Sequence, residues 1–339
     1  MELFEKCMSN MYAHEQELYA LLVKEIDTVI AKNYDFKGSL FDTRGDDLKM
    51  LLQANQSLFW SLWDYLEGYH TYKQDDQNEV NILQDKGIYI AKSFFTPKEV
   101  SELLLDWEES IESVPEITEE MYQKSLLNRF YFETINDVGY TIGSIHDGKK
   151  RVMHFTKNSV PKYFDKHLRK NKFLNSIVQK YYNFKREVEP STVMAEHLYP
   201  PKYYREYEAW HIDNLADQFK IMVILEDMTE DDAPFIYVEG THKIKEKYKD
   251  RYHKMYATNG MVTQEQNHFE ASFTETSLVK KGILKAGDVI LFDCRLHHSA
   301  TFAKNGGNRK NIMLYYNSLP TAKNKFLFKI DKYLKFGLK

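Results

Sequence analysis

The sequence predicts a mainly β protein with flanking helices: a double-stranded β-helix, the jelly-roll or cupin architecture, with a helical N-terminal extension. Three observations lead there. From Ser191 onward, short apolar runs such as 219–225 and 289–293 are separated by turn residues at strand spacing. His211 and Asp213, and later His298, fall at the ends of such runs, as ligands do in a jelly roll that encloses a site. Residues 1–75, in contrast, carry apolar side chains at helical spacing.

Within that first part, Glu15 to Lys32 and Leu48 to Tyr72 read as helices, separated by Gly38, Gly45 and nearby aspartates. The stripe Leu51, Leu52, Leu58, Phe59, Leu62, Trp63 and Leu66 is expected to pack against its own chain rather than a partner. The chain therefore divides into a helical extension, 1–75, and a jelly-roll domain, 76–339, that ends in a basic tail. A helix is expected from Thr96 to about Glu112, because Thr96 suits the N-cap, Pro97 the first turn, and Glu99 completes a capping box.

Between Phe130 and Phe155, strand-like segments are interrupted by Asp147-Gly148-Lys149-Lys150-Arg151, read as a basic turn that would suit an anionic small-molecule substrate. Phe173 to Tyr182 reads as a helix, and Ser191 to Tyr199 and Phe219 to Leu225 begin the main strand series. After Pro320, Lys323, Lys325, Lys329, Lys332 and Lys335 alternate with apolar residues. That tail is expected to lay its apolar side on the domain and keep its lysines in water.

Bulk composition excludes several classes. A chain of 339 residues can bury a core without disulfides or metals, and 43% hydrophobic with 28% charged residues is ordinary globular composition. A net charge of −4 argues against a general nucleic-acid binder, whose domains tend to be basic. Cys7 and Cys294 are too few for a disulfide framework or a thiolate zinc site, which points to a reducing cytoplasm. No stretch approaches the roughly eighteen apolar residues of a membrane span, and 1–6 lack a signal-like start, so no stable membrane insertion is expected.

The chemistry lies with the three ligand candidates. In an extended chain, side chains two apart share a face, so His211 and Asp213 converge while Ile212 points away. Two imidazoles and one carboxylate on one face of an octahedral ion leave room for a co-substrate and dioxygen, the arrangement of non-haem Fe(II) oxygenases. His-x-Asp alone is a common tripeptide, and its surroundings make it specific. Trp210-His211-Ile212-Asp213 is followed by the apolar run 219–225, the acidic turn 226–232 and Gly240-Thr241-His242-Lys243. Gly287-Asp288 opens a second apolar run that closes on Asp293-Cys294-Arg295-Leu296-His297-His298. Arg309 stands eleven positions beyond His298, after the turn signal Lys304-Asn305-Gly306-Gly307-Asn308.

In this order the segments resemble the phytanoyl-CoA dioxygenase family of Fe(II)/2-oxoglutarate oxygenases, over about Asn78 to Leu319. The resemblance implies that His211, Asp213 and His298 bind the metal. It selects His298 over His297, because the family ligand falls three residues after the arginine matched by Arg295; strand alternation favours the same choice. It also implies that Arg309 grips the distal carboxylate of 2-oxoglutarate, a task for a planar fork of donors. Thr241 either assists that carboxylate or serves the turn.

The implied cofactors are Fe(II), 2-oxoglutarate and O2, and the implied reaction is hydroxylation of a small-molecule metabolite with release of succinate and CO2. Desaturation, cyclisation or epoxidation are alternative outcomes, and an inactive metal-binding jelly roll acting as scaffold or sensor is the alternative from another class. Asp213 disfavours halogenation, since related halogenases carry a small residue there. Trp210 and Asn214 are expected to hold the ligands in place. One departure concerns His298-Ser299-Ala300-Thr301-Phe302, where the family usually carries Gly-Ser and an asparagine.

Overall fold

The computed structural model describes residues 55–69, 77–115, 130–135, 138–145, 148–184, 187–199, 210–259, 268–269, 276–300 and 307–317, with isolated positions among 5–27, 118–120 and 319–324. Helix α1 spans Gln56–Tyr69 and α2 Asn78–Lys86, followed by strand β1, Ile88–Ala91, and helix α3, Pro97–Glu112. Strands β2 (Phe130–Ile135), β3 (Val138–Ile145) and β4 (Gly148–Phe155) form a meander, and helix α4 covers Lys172–Tyr181. The remaining elements are β5 (Thr192–Tyr199), β6 (Trp210–His211), β7 (Phe219–Ile224), β8 (Phe235–Tyr237), α5 (Glu246–Asn259), β9 (His268–Phe269), β10 (Lys280–Gly282), β11 (Val289–Asp293), β12 (His298–Ala300) and β13 (Arg309–Tyr316).

These strands form two antiparallel sheets, one of eight strands in the order β1-β11-β7-β13-β5-β4-β3-β2 and one of five in the order β10-β8-β12-β6-β9. Alternation along the central strands of the larger sheet sorts its side chains onto two faces. Ile221, Val223, Val289, Leu291, Ile312 and Leu314 lie on the outer face, in one core with buried residues of α2, α3 and α4. Met222, Ile224, Ile290, Phe292 and Met313 point inward and meet Phe235 and Tyr237 of the smaller sheet. The inner face is therefore the wall of a jelly roll, and polar residues placed on it face the enclosed site.

Several sequence expectations reappear as local structure. The Thr96 hydroxyl accepts from the Glu99 amide, and the Glu99 carboxylate accepts from the Thr96 amide, so the capping box starts α3 where the residues place it. On α1, Leu58, Phe59, Leu62, Trp63 and Leu66 are buried, and Phe59 packs its ring 5.4 Å from His253 of α5. Leu51 and Leu52 lie outside the described residues, as do Gly38, Gly45 and Lys325 to Lys335.

Two expectations need correction. Gly148, Lys149, Lys150 and Arg151 belong to β4, where Lys150 pairs with Leu198 and Arg151 with His197 of β5, so the segment is a strand and not a basic turn. Gly148 was taken for a turn residue, but it pairs with Ile145 of β3 as the first residue of the strand. Lys323 is fully buried against Glu67 and Asp217 rather than held in water. Helix α2, capped at Gly87, was not anticipated; β1 follows it directly. Among the described residues, no helix is long and apolar enough to cross a membrane.

Candidate metal centre

Three of the residues singled out by spacing meet at one point. Ligand atoms of His211, Asp213 and His298 all lie within 4.8 Å of one another. The sheet sets this proximity: β12 pairs with β6 so that His298 faces His211 directly, and the two rings sit 4.3 Å apart between centroids. Asp213 follows β6, its amide donating to the Cys294 carbonyl, which ties its loop to the turn that leads into β12.

His298 is prepared for ligation. Its Nδ1 lies 2.8 Å from the Leu296 carbonyl, so the ring carries its proton there and presents the Nε2 lone pair, 3.3 Å from Asp213 Oδ2. Burial also holds its pKa below the ordinary histidine value and favours the neutral ring that a metal requires. Burial alone would raise the Asp213 pKa, but Lys220, His298 and His211 hold it well below the usual carboxylate range. A buried, charged carboxylate beside two imidazoles is a donor set that suits Fe(II). On this structure, the residues fit the ion.

His297 takes no part in the cluster. Its ring is fully buried, with Nε2 2.7 Å from the Tyr252 hydroxyl. Thr241 supports it from behind: its hydroxyl donates to the Val238 carbonyl and accepts from the His297 amide at 2.8 Å. The first bond belongs to the turn, and the second ties that turn to the residue before β12. Trp210 is buried on β6, whereas the Asn214 side chain accepts from the Ala216 amide and shapes the loop after Asp213.

Arg309 lies at the start of β13 on the same inward face as Asn311 and Met313. It is 4% exposed, its Nε donating to Asn311 Oδ1 at 3.1 Å and its Nη1 to the Ala233 carbonyl at 2.7 Å. Asn311 in turn donates to Glu196 Oε2 at 2.9 Å. The chain Glu196-Asn311-Arg309 thus sets the plane of the guanidinium.

A match to the phytanoyl-CoA dioxygenase family spans residues 83–311, more than half of the chain. The chain belongs to this family. Phytanoyl-CoA dioxygenase family members are Fe(II)/2-oxoglutarate-dependent oxygenases that use O2, and this membership extends to the fold described above. Ectoine dioxygenase of Bordetella bronchiseptica is 24% identical over 134 residues, 36% of this chain and 42% of that protein. The chain thus spans less than half the length of that curated relative. Among solved structures, iron-bound EctD from S. alaskensis is similar at 15% identity and a TM-score of 0.46, covering 71% of this chain and 76% of its own. The epimerase SnoN, in complex with Fe3+, alpha ketoglutarate and nogalamycin RO, is similar at 14% identity and a TM-score of 0.45, covering 71% and 82%.

Sequence reading missed several buried polar residues at the site. Lys220 was passed over as one letter in the apolar run of β7, although all six residues of that strand are buried. A lysine seven positions after Asp213 in such a run was the available signal. Glu196 and Asn311 had no comparable signal, since one polar residue in an alternating strand reads as the solvent side.

Proposed function

We propose that the protein is an Fe(II)/2-oxoglutarate-dependent dioxygenase that hydroxylates a small-molecule metabolite in the cytoplasm, with release of succinate and CO2. The observation that carries this reading is the convergence of His211, Asp213 and His298 on the inner side of the jelly roll. When bound, iron supplies the activation of dioxygen coupled to decarboxylation of 2-oxoglutarate.

The residues of the chain bind and orient. His211, Asp213 and His298 would hold the metal, and Arg309, its plane set by Asn311 and Ala233, would take the far carboxylate of 2-oxoglutarate by bidentate hydrogen bonds. Met222, Met313, Phe235 and Phe292 line the interior with apolar surface and keep water from the reacting groups. No protein nucleophile enters the scheme.

Anaerobic titration of the purified protein with Fe(II) and 2-oxoglutarate tests the site. A weak visible charge-transfer band should develop, and His211→Ala or Asp213→Ala should abolish it. In air, labelled 2-oxoglutarate should yield succinate in proportion to oxidised product when a metabolite panel contains the substrate; mass analysis of that product separates hydroxylation from desaturation, cyclisation and epoxidation. Absence of the band in the wild type would overturn the reading.

A further inference from the structure

Asp213 does not face the histidines alone. Lys220, 4% exposed on β7, places its Nζ 2.6 Å from Asp213 Oδ1, while His298 Nε2 lies 3.3 Å from Oδ2 on the other side of the carboxylate. The ammonium is held where it is. Lys220 pairs in register with Tyr315 of β13, and its Nζ lies 4.6 Å from the centre of that ring. Its stem shares the inner face with Met222 and Ile224, so the strand itself aims the charge at the ligand loop.

We propose that Lys220 is a positioning residue of the metal centre: it occupies one oxygen of Asp213, leaves the other for the ion, and tunes the charge of the site to a dianionic co-substrate. The inference rests on the reading of His211, Asp213 and His298 as metal ligands. Two neutral imidazoles, one carboxylate and one ammonium sum to zero, and Arg309 is balanced by Glu196 through Asn311; a divalent ion raises the total to +2, and doubly charged 2-oxoglutarate returns it to zero. Without the ammonium, the site would begin at −1. It would attract the metal more and the dianion less. In a buried site these charges act at low dielectric and are poorly screened, so both effects are large enough to measure. A lysine that merely packed the interior would show no such opposition, since loosening the site weakens both ligands together.

The experiment compares wild type, Lys220→Gln, which keeps a donor for Asp213 but no charge, and Lys220→Arg, which keeps the charge. Fe(II) affinity is read anaerobically by calorimetry, and 2-oxoglutarate affinity of the Fe(II)-loaded protein by the charge-transfer band. Lys220→Gln should weaken 2-oxoglutarate binding by about tenfold or more, leave Fe(II) binding equal or tighter, and Lys220→Arg should restore most of the co-substrate affinity. Thermal melting of the metal-free proteins establishes that the variants are folded; should Lys220→Gln not fold, Lys220→Met and Lys220→Arg carry the comparison. Parallel losses of Fe(II) and 2-oxoglutarate, or unchanged affinity for both, would overturn the role of Lys220. A wild type that binds no Fe(II) or shows no band would instead overturn the proposed function.

Discussion

At Gly87 the backbone takes φ of 76°, and a Cβ there would lie 2.4 Å from Nδ1 of His242. Gly87→Ala therefore meets both a left-handed backbone and a filled space, and should cost roughly 1–3 kcal/mol in urea unfolding. The partner in that contact carries a pH dependence. His242 is 1% exposed, and burial pushes its pKa down to about 4. Above the unfolded value of 6.5 the ring is neutral in both states and adds no slope. As pH falls from 6.5 to 4, the unfolded chain takes up a proton that the folded chain refuses, and stability drops by up to about 1.4 kcal/mol per unit from this group. Urea midpoints across that window should fall less steeply in His242→Gln; equal slopes would refute the assignment. At this scale His211, Asp213 and His298 stood out because a metal-binding reading constrains residue type and spacing together, and the structure brings the three within 4.8 Å of one another. Lys220, Glu196 and Asn311 did not, because a buried polar residue is defined by its partner on another segment, and their partners are 7 to 115 positions away.

Helix α3 was legible for the opposite reason: everything that starts it lies within four residues, Thr96 to Glu99. Thr96→Ala should cost about 1 kcal/mol and lower the melting temperature without altering metal binding, which titration with Fe(II) checks. Strand β4 was misread because the same local logic, applied to Lys149, Lys150 and Arg151, ignores the ladders to β3 and β5 that hold them. A third element joins distant parts of the chain. Lys323 reaches Glu67 of α1 and Asp217 of the ligand loop, Asn324 bonds the backbone of Asp217 in both directions, and Arg295 joins Glu67 to Asp293. The Tyr181 hydroxyl of α4 donates to Asp293 at 2.9 Å and closes the network. Lys323→Met should destabilise the protein by roughly 3–5 kcal/mol, because it leaves buried acids with one cation fewer. Chemical denaturation checks this, and the double variant Lys323→Met with Asp217→Asn should recover part of the loss.

Taken as a whole molecule, the jelly roll is visible in the sequence as alternation and turn spacing, while the attachment of α1 is not, since amphipathic helices carry no address for the surface they cover. The extension as described packs on α5 and on the network around Asp217, which places it beside the loop that carries Asp213 and Asp217. Ligand binding to the folded state alone should therefore be felt globally. Fe(II) with 2-oxoglutarate at about one hundred times the dissociation constant should add about 2.7 kcal/mol and raise the melting temperature. The shift should vanish in Asp213→Ala; persistence of it would place the ligands elsewhere.

The position of Lys323 also orders events during synthesis. Glu67 and Asp217 are translated long before Lys323, and Arg295, the other cation of the network, is translated between Asp217 and Lys323. The loop that carries Asp213 and Asp217 therefore gains its tie to Lys323 only after His211, Asp213 and His298 have all been translated.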